Sequence, residues 1–302
     1  MVKQRRGKSR VLFAIPNGAT NTAPSATHTP LFIFGTATPP QWLDAPSTVS
    51  RLPQNVINKI IDHLYDKPVD LRACSLVAKS WKVRSQSHLF RDVRWTRGTV
   101  QNWCKFIPPR SNGLARHATS LVVISLLEQD KLRPIKGHFT SFRNVTSLTL
   151  QGLGFDDPVF DPNKVPVYFG HLRPGLTALT LINANGSCGR LLSFVSFFPR
   201  LEYTTISRPV ELVPPDPTIH LKYRPLRGTL FLRGHLNRHA SLIKLLSRAS
   251  LPQCHTIRLE HWGKMRVEDL DCLLASCSKS LEVLSVSACK GERSILTALT
   301  SD

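Results

Sequence analysis

The sequence is poor in acidic residues: its 302 residues hold 20 Asp and Glu against 40 Lys and Arg, a formal net charge of +20. The excess is spread along the chain, because residues 1–50 carry five basic and one acidic side chains, residues 51–95 nine and four, and residues 96–302 twenty-six and fifteen. Nucleic-acid-binding proteins usually concentrate such charge on one face or arm, which depends on the fold. We therefore expect nonspecific attraction to polyanions and rank dedicated nucleic-acid recognition below protein binding.

Cysteine patterns and long apolar runs are also missing. The seven cysteines are scattered and form no C-x-x-C pair, which argues against zinc modules and a disulfide framework and favours buried thiols in a reducing compartment. No apolar run approaches the roughly 20 residues that span a bilayer. The apolar piece after the ten basic-rich first residues breaks at Pro16, too early for a secretory signal. We expect a cytoplasmic and/or nuclear protein without a membrane partner.

Sequence motifs of catalysis are absent as well. There is no P-loop, no G-x-G-x-x-G after a strand, no H-E-x-x-H and no G-x-S-x-G. His235 and His239 lie four residues apart, but such pairs are more often surface or core residues than metal ligands. The neighbouring acids Asp156 and Asp157 fall in a predicted loop, where carboxylates have structural roles. We expect no enzyme, no catalytic residues, no cofactor and no metal site.

The first part of the chain changes character at Ser50. Residues 1–49 are rich in Pro, Ser and Thr without periodicity, which is typical of a disordered tail. Within them, the apolar patch LFIFG at 31–35 could be a short docking strand. Residues 50–95 instead predict three short helices and a strand. Pro53 suits a first helical turn, Lys67-Pro68 ends that helix, and Asp70 and Ser80 can cap the next two.

The second part, residues 96–302, is repetitive. Short alternating segments are anchored at Ala118, Val145, Leu176, Leu201, Arg227, Cys254 and Leu281, which are 27, 31, 25, 26, 27 and 27 residues apart. This near-constant period falls mostly within the 20–29 residues of leucine-rich repeats. Amphipathic stretches between the anchors predict helices, whereas two proline-rich stretches, around 158–166 and 209–225, predict irregular loops. Strand–helix alternation implies right-handed crossovers and a parallel sheet.

Five landmarks occur in order within residues 50–95: Leu52-Pro53, Ile60 with Leu64, Asp70-Leu71, the V-A-K-S-W segment from Val77 to Trp81, and Leu89-Phe90. They resemble the F-box family, in which Leu-Pro is followed by an apolar helix, an Asp-Leu helix start, Val-Cys-x-x-Trp and a closing Leu-Trp or Leu-Phe. The variant here is similar to F-box proteins abundant in mushroom-forming fungi. Gln54-Asn55 and Ala78 depart from the family pattern without moving its apolar frame.

The resemblance implies an α/β protein: a disordered tail at 1–49, a small three-helix F-box at 50–95, and a degenerate leucine-rich-repeat-like solenoid with a parallel sheet at 96–302. It also implies that the F-box binds the Skp adaptor. The residues implied in that contact are Leu52, Pro53, Val56, Ile57, Ile60, Leu64, Leu71, Val77, Trp81, Leu89 and Phe90.

The function implied is that of a substrate-receptor subunit of a Skp–cullin–F-box ubiquitin ligase. The repeats would hold an unknown target protein, and other subunits would supply the chemistry. One alternative is a protein-interaction scaffold that works outside any ligase. Nucleic-acid binding comes third.

Overall fold

The structure is a computed structural model that describes residues 52–106, 113–124, 139–210, 212–213, 224–234, 239–248, 252–262 and 267–288. The predicted tail, with its LFIFG patch, lies outside the described residues. By internal contacts the chain divides into two compact units, residues 1–57 and 58–302. The predicted domain boundaries at 50 and 96 stay predictions.

Three short helices begin the described chain: α1 (Gln54–Asp62), α2 (Pro68–Val77) and α3 (Lys79–Leu89). The predicted caps are wrong. Asp70 lies inside the first turn of α2, because Pro68 fits the first helical position and the helix starts there. Ser80 lies inside α3, because the extended backbone of Ala78 (φ −153°, ψ 160°) ends one helix and begins the next.

The chain is α/β, with a parallel sheet of eight strands. The strands of the described residues are β1 (Asp92–Trp95), β2 (Ser120–Ile124), β3 (Ser147–Gln151), β4 (Ala178–Ile182), β5 (Gly186–Ser187), β6 (Tyr203–Ser207), β7 (Leu212–Val213), β8 (Leu226–Arg233), β9 (Pro252–Trp262) and β10 (Val283–Ala288). The large sheet has the order β1-β2-β3-β4-β6-β8-β9-β10, and β5 pairs with β7 beside it. Sheet order thus follows chain order.

Five more helices connect strands: α4 (Arg97–Phe106), α5 (Val165–Phe169), α6 (Cys188–Ser196), α7 (Ala240–Arg248) and α8 (Val267–Cys277). Helix α7 packs against both α6 and α8. The amphipathic faces predicted a buried side for these helices. Leu191 and Leu192 of α6, Leu242 of α7 and Leu270 of α8 are all buried.

The strand pairing follows the predicted period. One row of paired residues crosses the sheet through Ser120, Ser147, Ala178, Tyr203, Thr229, Thr256 and Val283. Each of these residues lies two positions after a predicted anchor, so their separations are the same as those of the anchors. The ladder extends one strand further, since Asp92 of β1 pairs with Ser120.

Most strands of the large sheet alternate between a buried and a more exposed face, whereas β10 at its end leaves both Val283 and Leu284 exposed. In β3 and β4 the buried residues are Leu148, Leu150, Leu179 and Leu181, each no more than 1% exposed. The alternation is the period-two pattern of a sheet covered on one side only. Burying each such leucine stabilises the fold by roughly 1.5–3 kcal/mol. The core therefore lies beneath one face of the sheet.

A chain of aromatic rings crosses this core. Trp95 meets Phe139 at 5.0 Å between ring centroids, Phe139 meets Phe169 at 5.7 Å, and Phe169 meets Phe194 at 5.1 Å. All three contacts are edge-to-face, the arrangement that aromatic quadrupoles favour. The rings join β1 to helices α5 and α6, and so connect repeats that are not neighbours in the sheet.

The first proline-rich stretch was predicted wrongly as an irregular loop. It contains a 3₁₀ turn at Pro158–Phe160 and the helix α5. Proline is compatible with both, because each starts with proline in its first two positions, where no backbone N–H is needed. Phe160 and Phe169 are fully buried, and this burial stabilises the two turns. The second stretch contains β7, and residues 211 and 214–223 lie outside the described residues.

We predict that Gly228→Ala lowers the free energy of unfolding by about 2–4 kcal/mol. Gly228 has φ +74°, and an added Cβ would overlap the backbone of Glu202. The residue sits where the β8–β9 register shifts. The matched control is Gly98→Ala in α4, where an added Cβ meets nothing within 4 Å; it should be neutral or stabilising by up to about 1 kcal/mol. Urea unfolding midpoints of both variants test this, and equal effects would contradict it.

Candidate functional site

The helical segment carries an unusual share of exposed apolar side chains. Eight of the fourteen large hydrophobic residues that are exposed in the described chain lie between residues 52 and 83: Leu52, Val56, Ile60, Tyr65, Val69, Leu76, Val77 and Val83. Leu52 and Val56 belong to the first compact unit and the other six to the second. Clustered exposed apolar residues mark interaction surfaces more often than scattered ones do.

Helix α2 presents the clearest of these surfaces. Val69, Leu76 and Val77, which we call the α2 apolar face, are 70%, 68% and 59% exposed. Their spacing of seven and eight residues places them on one side of the helix. Leu71 and Cys74, on the opposite side, are buried. The helix is therefore apolar on both sides, and only one side is covered.

The structure divides the residues implied in adaptor contact into three groups. Leu52, Pro53, Val56, Ile60 and Val77 are exposed. Leu64, Trp81 and Phe90 are half-buried, whereas Ile57, Leu71 and Leu89 are buried. The buried three support the helices from within, and the exposed five are the ones that a partner can touch directly. Whether they do so stays a prediction.

Trp81 lies in the first turn of α3 and is half-buried. Its indole N–H is buried and finds no acceptor among the described residues. The ring therefore acts as packing rather than as a hydrogen-bonding group. Phe90, just after α3, meets Trp103 of α4 edge-to-face at 6.4 Å between centroids. This contact connects the helical segment to Trp103 and so to the aromatic core.

A charged cluster links α1 to α3. The guanidinium of Arg84 donates to both carboxylate oxygens of Asp62, at 2.8 Å for its second nitrogen. Nε2 of His88 lies 2.7 Å from the same carboxylate. These hydrogen bonds, from Arg84 first and His88 second, lower the pKa of Asp62 to about 2. The bidentate geometry fixes the relative rotation of the two helices.

Sequence reasoning missed four exposed apolar residues: Tyr65, Val69, Leu76 and Val83. A signal was present for two of them. Val69 and Leu76 fall on the side of α2 away from Leu71, and a short helix that is apolar on both sides indicates a second packing partner. Tyr65 and Val83 have no comparable periodic signal.

The residues singled out in the sequence as possible metal ligands or paired acids have structural surroundings. The described part of the chain contains no group of three or more His, Cys, Asp or Glu side chains placed to hold a metal ion. His239 is fully buried, and Asp156 and Asp157 accept hydrogen bonds from the backbone N–H groups of Ser187 and Val159. These acids thus stabilise loops, as their position in the sequence predicts.

The cysteines of the described chain are free thiols. Cys188 and Cys254 are fully buried, and burial raises the pKa of each thiol to about 12. A thiol with such a pKa is protonated at neutral pH and is a poor nucleophile. Cys272 is exposed. The expectation of buried thiols is confirmed for Cys74, Cys188, Cys254 and Cys277 and is wrong for Cys272.

Comparison with known proteins gives no family assignment. No family model matches the chain, and no curated protein is significantly similar to it. Among the described helices, none combines the length and the apolar character needed to cross a bilayer.

We predict that Asp62→Asn removes part of the acid sensitivity of the protein. Since the pKa of Asp62 is lowered on folding, its stabilising contribution is present above about pH 4 and is lost as the pH falls toward about 2. The side chain is 38% exposed, so solvent screening keeps the effect below about 1 kcal/mol. Unfolding midpoints at about pH 5 and about pH 2.5 measure the difference, because most of the contribution is lost between these two values. Asp66→Asn, at an exposed carboxylate, is the control: it leaves the Asp62–Arg84 pair intact and should retain the part of the pH dependence that Asp62 contributes.

Proposed function

We propose that residues 50–95 form an F-box-type module that docks onto a Skp adaptor, and that this chain is a substrate-receptor subunit of a Skp–cullin–F-box ubiquitin ligase. The observation that carries the proposal is the concentration of exposed apolar side chains in the helical segment. An isolated soluble surface rarely leaves so many large apolar groups in water without a partner to cover them. The landmarks that resemble the F-box lie in the same segment.

The division of the implied residues supports a docking role. Ile57, Leu71 and Leu89 are buried, while Leu52, Ile60 and Val77 remain open to a partner. Covering an exposed valine or leucine is worth up to roughly 1.5–3 kcal/mol. A few such residues therefore suffice for a stable complex, after the cost of association is subtracted.

Charge on the segment favours an acidic partner. Residues 51–95 carry nine basic and four acidic side chains, and exposed Lys79 and Lys82 stand in α3, which follows the α2 apolar face. Complementary charge mainly raises the rate of association, whereas the apolar contacts supply most of the affinity. We infer that the adaptor surface is apolar at its centre and acidic at its rim.

The sheet region would hold the target protein. Its strands follow one another in chain order, in a register that repeats every 25–31 residues, which supports a degenerate leucine-rich-repeat solenoid. The outward row includes Thr149, Thr180 and Thr205, paired across neighbouring strands. A target bound there would be presented to other subunits, so this chain would contribute proximity and orientation and no catalytic group.

Val77→Asp should weaken adaptor binding at least tenfold, because burying a carboxylate in an apolar interface costs several kcal/mol. The intact chain is co-expressed with a Skp adaptor, co-purified, and measured by calorimetry. Leu52→Ala combined with Pro53→Ala should also weaken the complex strongly. If the unaltered chain binds no Skp adaptor, the ligase proposal is contradicted.

The matched control is Val167→Asp, at another exposed valine (48%) in α5, outside the helical segment. It introduces the same charge at a similar exposure and should leave adaptor affinity within about threefold, since surface changes away from a contact are nearly neutral. Capture of Skp without cullin would instead favour a scaffold that works outside a ligase.

A further inference from the structure

The edge of the sheet where the strands begin carries a row of cations. Because the eight strands are parallel, all of them begin at the same edge. One basic residue stands three to five positions before the paired row on six of the strands. These residues are Arg116 before β2, Arg143 before β3, Arg173 before β4, Arg200 before β6, Arg224 before β8 and Lys279 before β10, and all six are exposed. We call them the basic edge.

The positive charge of the basic edge is poorly neutralised. Among the described residues, none of the six forms an ion pair, and Glu202 and Glu282 are the acidic residues that stand beside the same strand starts. The opposite edge is different. There Asp156 and Asp157 follow β3, and Nε of Arg233 pairs with a carboxylate oxygen of Glu260 at 3.2 Å. The opposite edge also carries the exposed Arg208 after β6, so it mixes both signs, whereas the edge where the strands begin is mostly basic.

Hydroxyl groups accompany the cations in two cavities. A cavity of about 180 Å³ is lined by Arg173 and Arg224 together with Ser193 and Ser196. A second, of about 650 Å³, is lined by Arg227, His255 and Lys279 together with Ser276, Ser278 and Ser280. No carboxylate lines either cavity. The hydroxyls of Ser196, Ser276, Ser278 and Ser280 already donate to backbone carbonyl oxygens. The guanidinium and ammonium groups are therefore the main donors that these cavities offer to phosphate oxygens.

We propose that the basic edge binds the phosphate backbone of a nucleic acid without reading its sequence. The row crosses from β2 to β10, six strand spacings or roughly 29 Å, so it offers a line of charge to a linear polyanion. Five of the six cations are arginines, whose fork geometry matches phosphate bidentately. This site is independent of the proposed adaptor docking, which uses the helical segment.

Two other polyanions fit less well. An anionic membrane needs a flat face with many apolar side chains among the cations. Of the exposed large hydrophobic residues of the described chain, Tyr203, Val283 and Leu284 stand at these strand starts, whereas eight lie between residues 52 and 83. Lysines would bind an acidic protein segment as well as arginines do, but lysine occupies only one of the six positions. Part of the row also has a local explanation, since Arg173, Arg200 and Lys279 follow helices α5, α6 and α8, whose C-terminal ends attract cations. Arg143 likewise follows a helical residue, Phe139, whereas Arg116 lies within a 3₁₀ turn, Ala115–His117.

The test uses the intact chain and a labelled oligonucleotide of about 20 nucleotides, single-stranded and as a duplex. The edge variant combines Arg116→Gln, Arg143→Gln and Arg200→Gln. Arg173 is left in place because its guanidinium stacks over the ring of Phe197. The matched control combines Arg94→Gln, Arg208→Gln and Arg258→Gln, three arginines that are also exposed but lie on the strands or beyond their far ends. Both variants lose the same net charge.

We expect the edge variant to bind at least about tenfold more weakly at low salt, and the control less than about threefold. Affinity of the unaltered chain should fall steeply between about 50 and about 200 mM salt, and the edge variant should lower the slope by about 2 to 3, for three lost phosphate contacts. The salt dependence of oligonucleotide binding by the unaltered chain can be measured even if a variant fails to fold, so the proposal remains testable.

Three results would overturn the proposal. The first is an equal loss in both variants, which would mean diffuse attraction by net charge. The second is a salt slope near zero for the unaltered chain. The third is tighter binding to poly-glutamate of the same charge, or to phosphatidylserine vesicles, than to either oligonucleotide, which would assign the edge to an acidic protein or to a membrane.

Discussion

The structure depends on one constraint: each repeat must place its strand in the same register as the one before. The leucines at Leu148, Leu179 and Leu230 are buried because their strands pair residue for residue, and a slip by one position would turn each of them to the exposed face. The alternation of buried and exposed residues sets this register, because repeats of 25 to 31 residues all lead to the same paired row. Gly228 shows how little freedom remains, since its backbone approaches Glu202 so closely that no Cβ fits.

The helical segment obeys a different constraint. Three helices in about 40 residues cannot bury enough apolar surface to be stable alone, and they leave Val69, Leu76 and Val77 uncovered. The segment is held on one side by ring contacts such as that of Phe90 with Trp103, and internally by the Asp62–Arg84 pair. A small module with one side anchored and another side apolar suits docking, because the anchor orders the helices before a partner arrives and so lowers the entropic cost of binding.

Much of the sheet could be predicted from the sequence, because alternation and a constant period are local signals. The segment anchored at Leu176 overlaps the strand Ala178–Ile182, which begins two residues after the anchor. Helix α5 could not be predicted, since proline suggests a loop and only the burial of Phe169 against Phe139 and Phe194 stabilises a helix there. In the candidate site, the landmarks located the segment. They did not separate buried Leu71 from exposed Leu76, which requires knowing which side of α2 is covered.

The arrangement of the charged residues could not be predicted from the local sequence either. Along the chain, Arg116, Arg143 and Arg200 stand among unrelated neighbours, and nothing local relates them. They meet at one edge only because parallel strands in constant register bring equivalent positions of every repeat together. In a repeat fold, a basic residue at the same position of several repeats therefore becomes part of one continuous basic surface. The same geometry that buries the leucines also aligns the cations, so the basic edge follows from the register that holds the core.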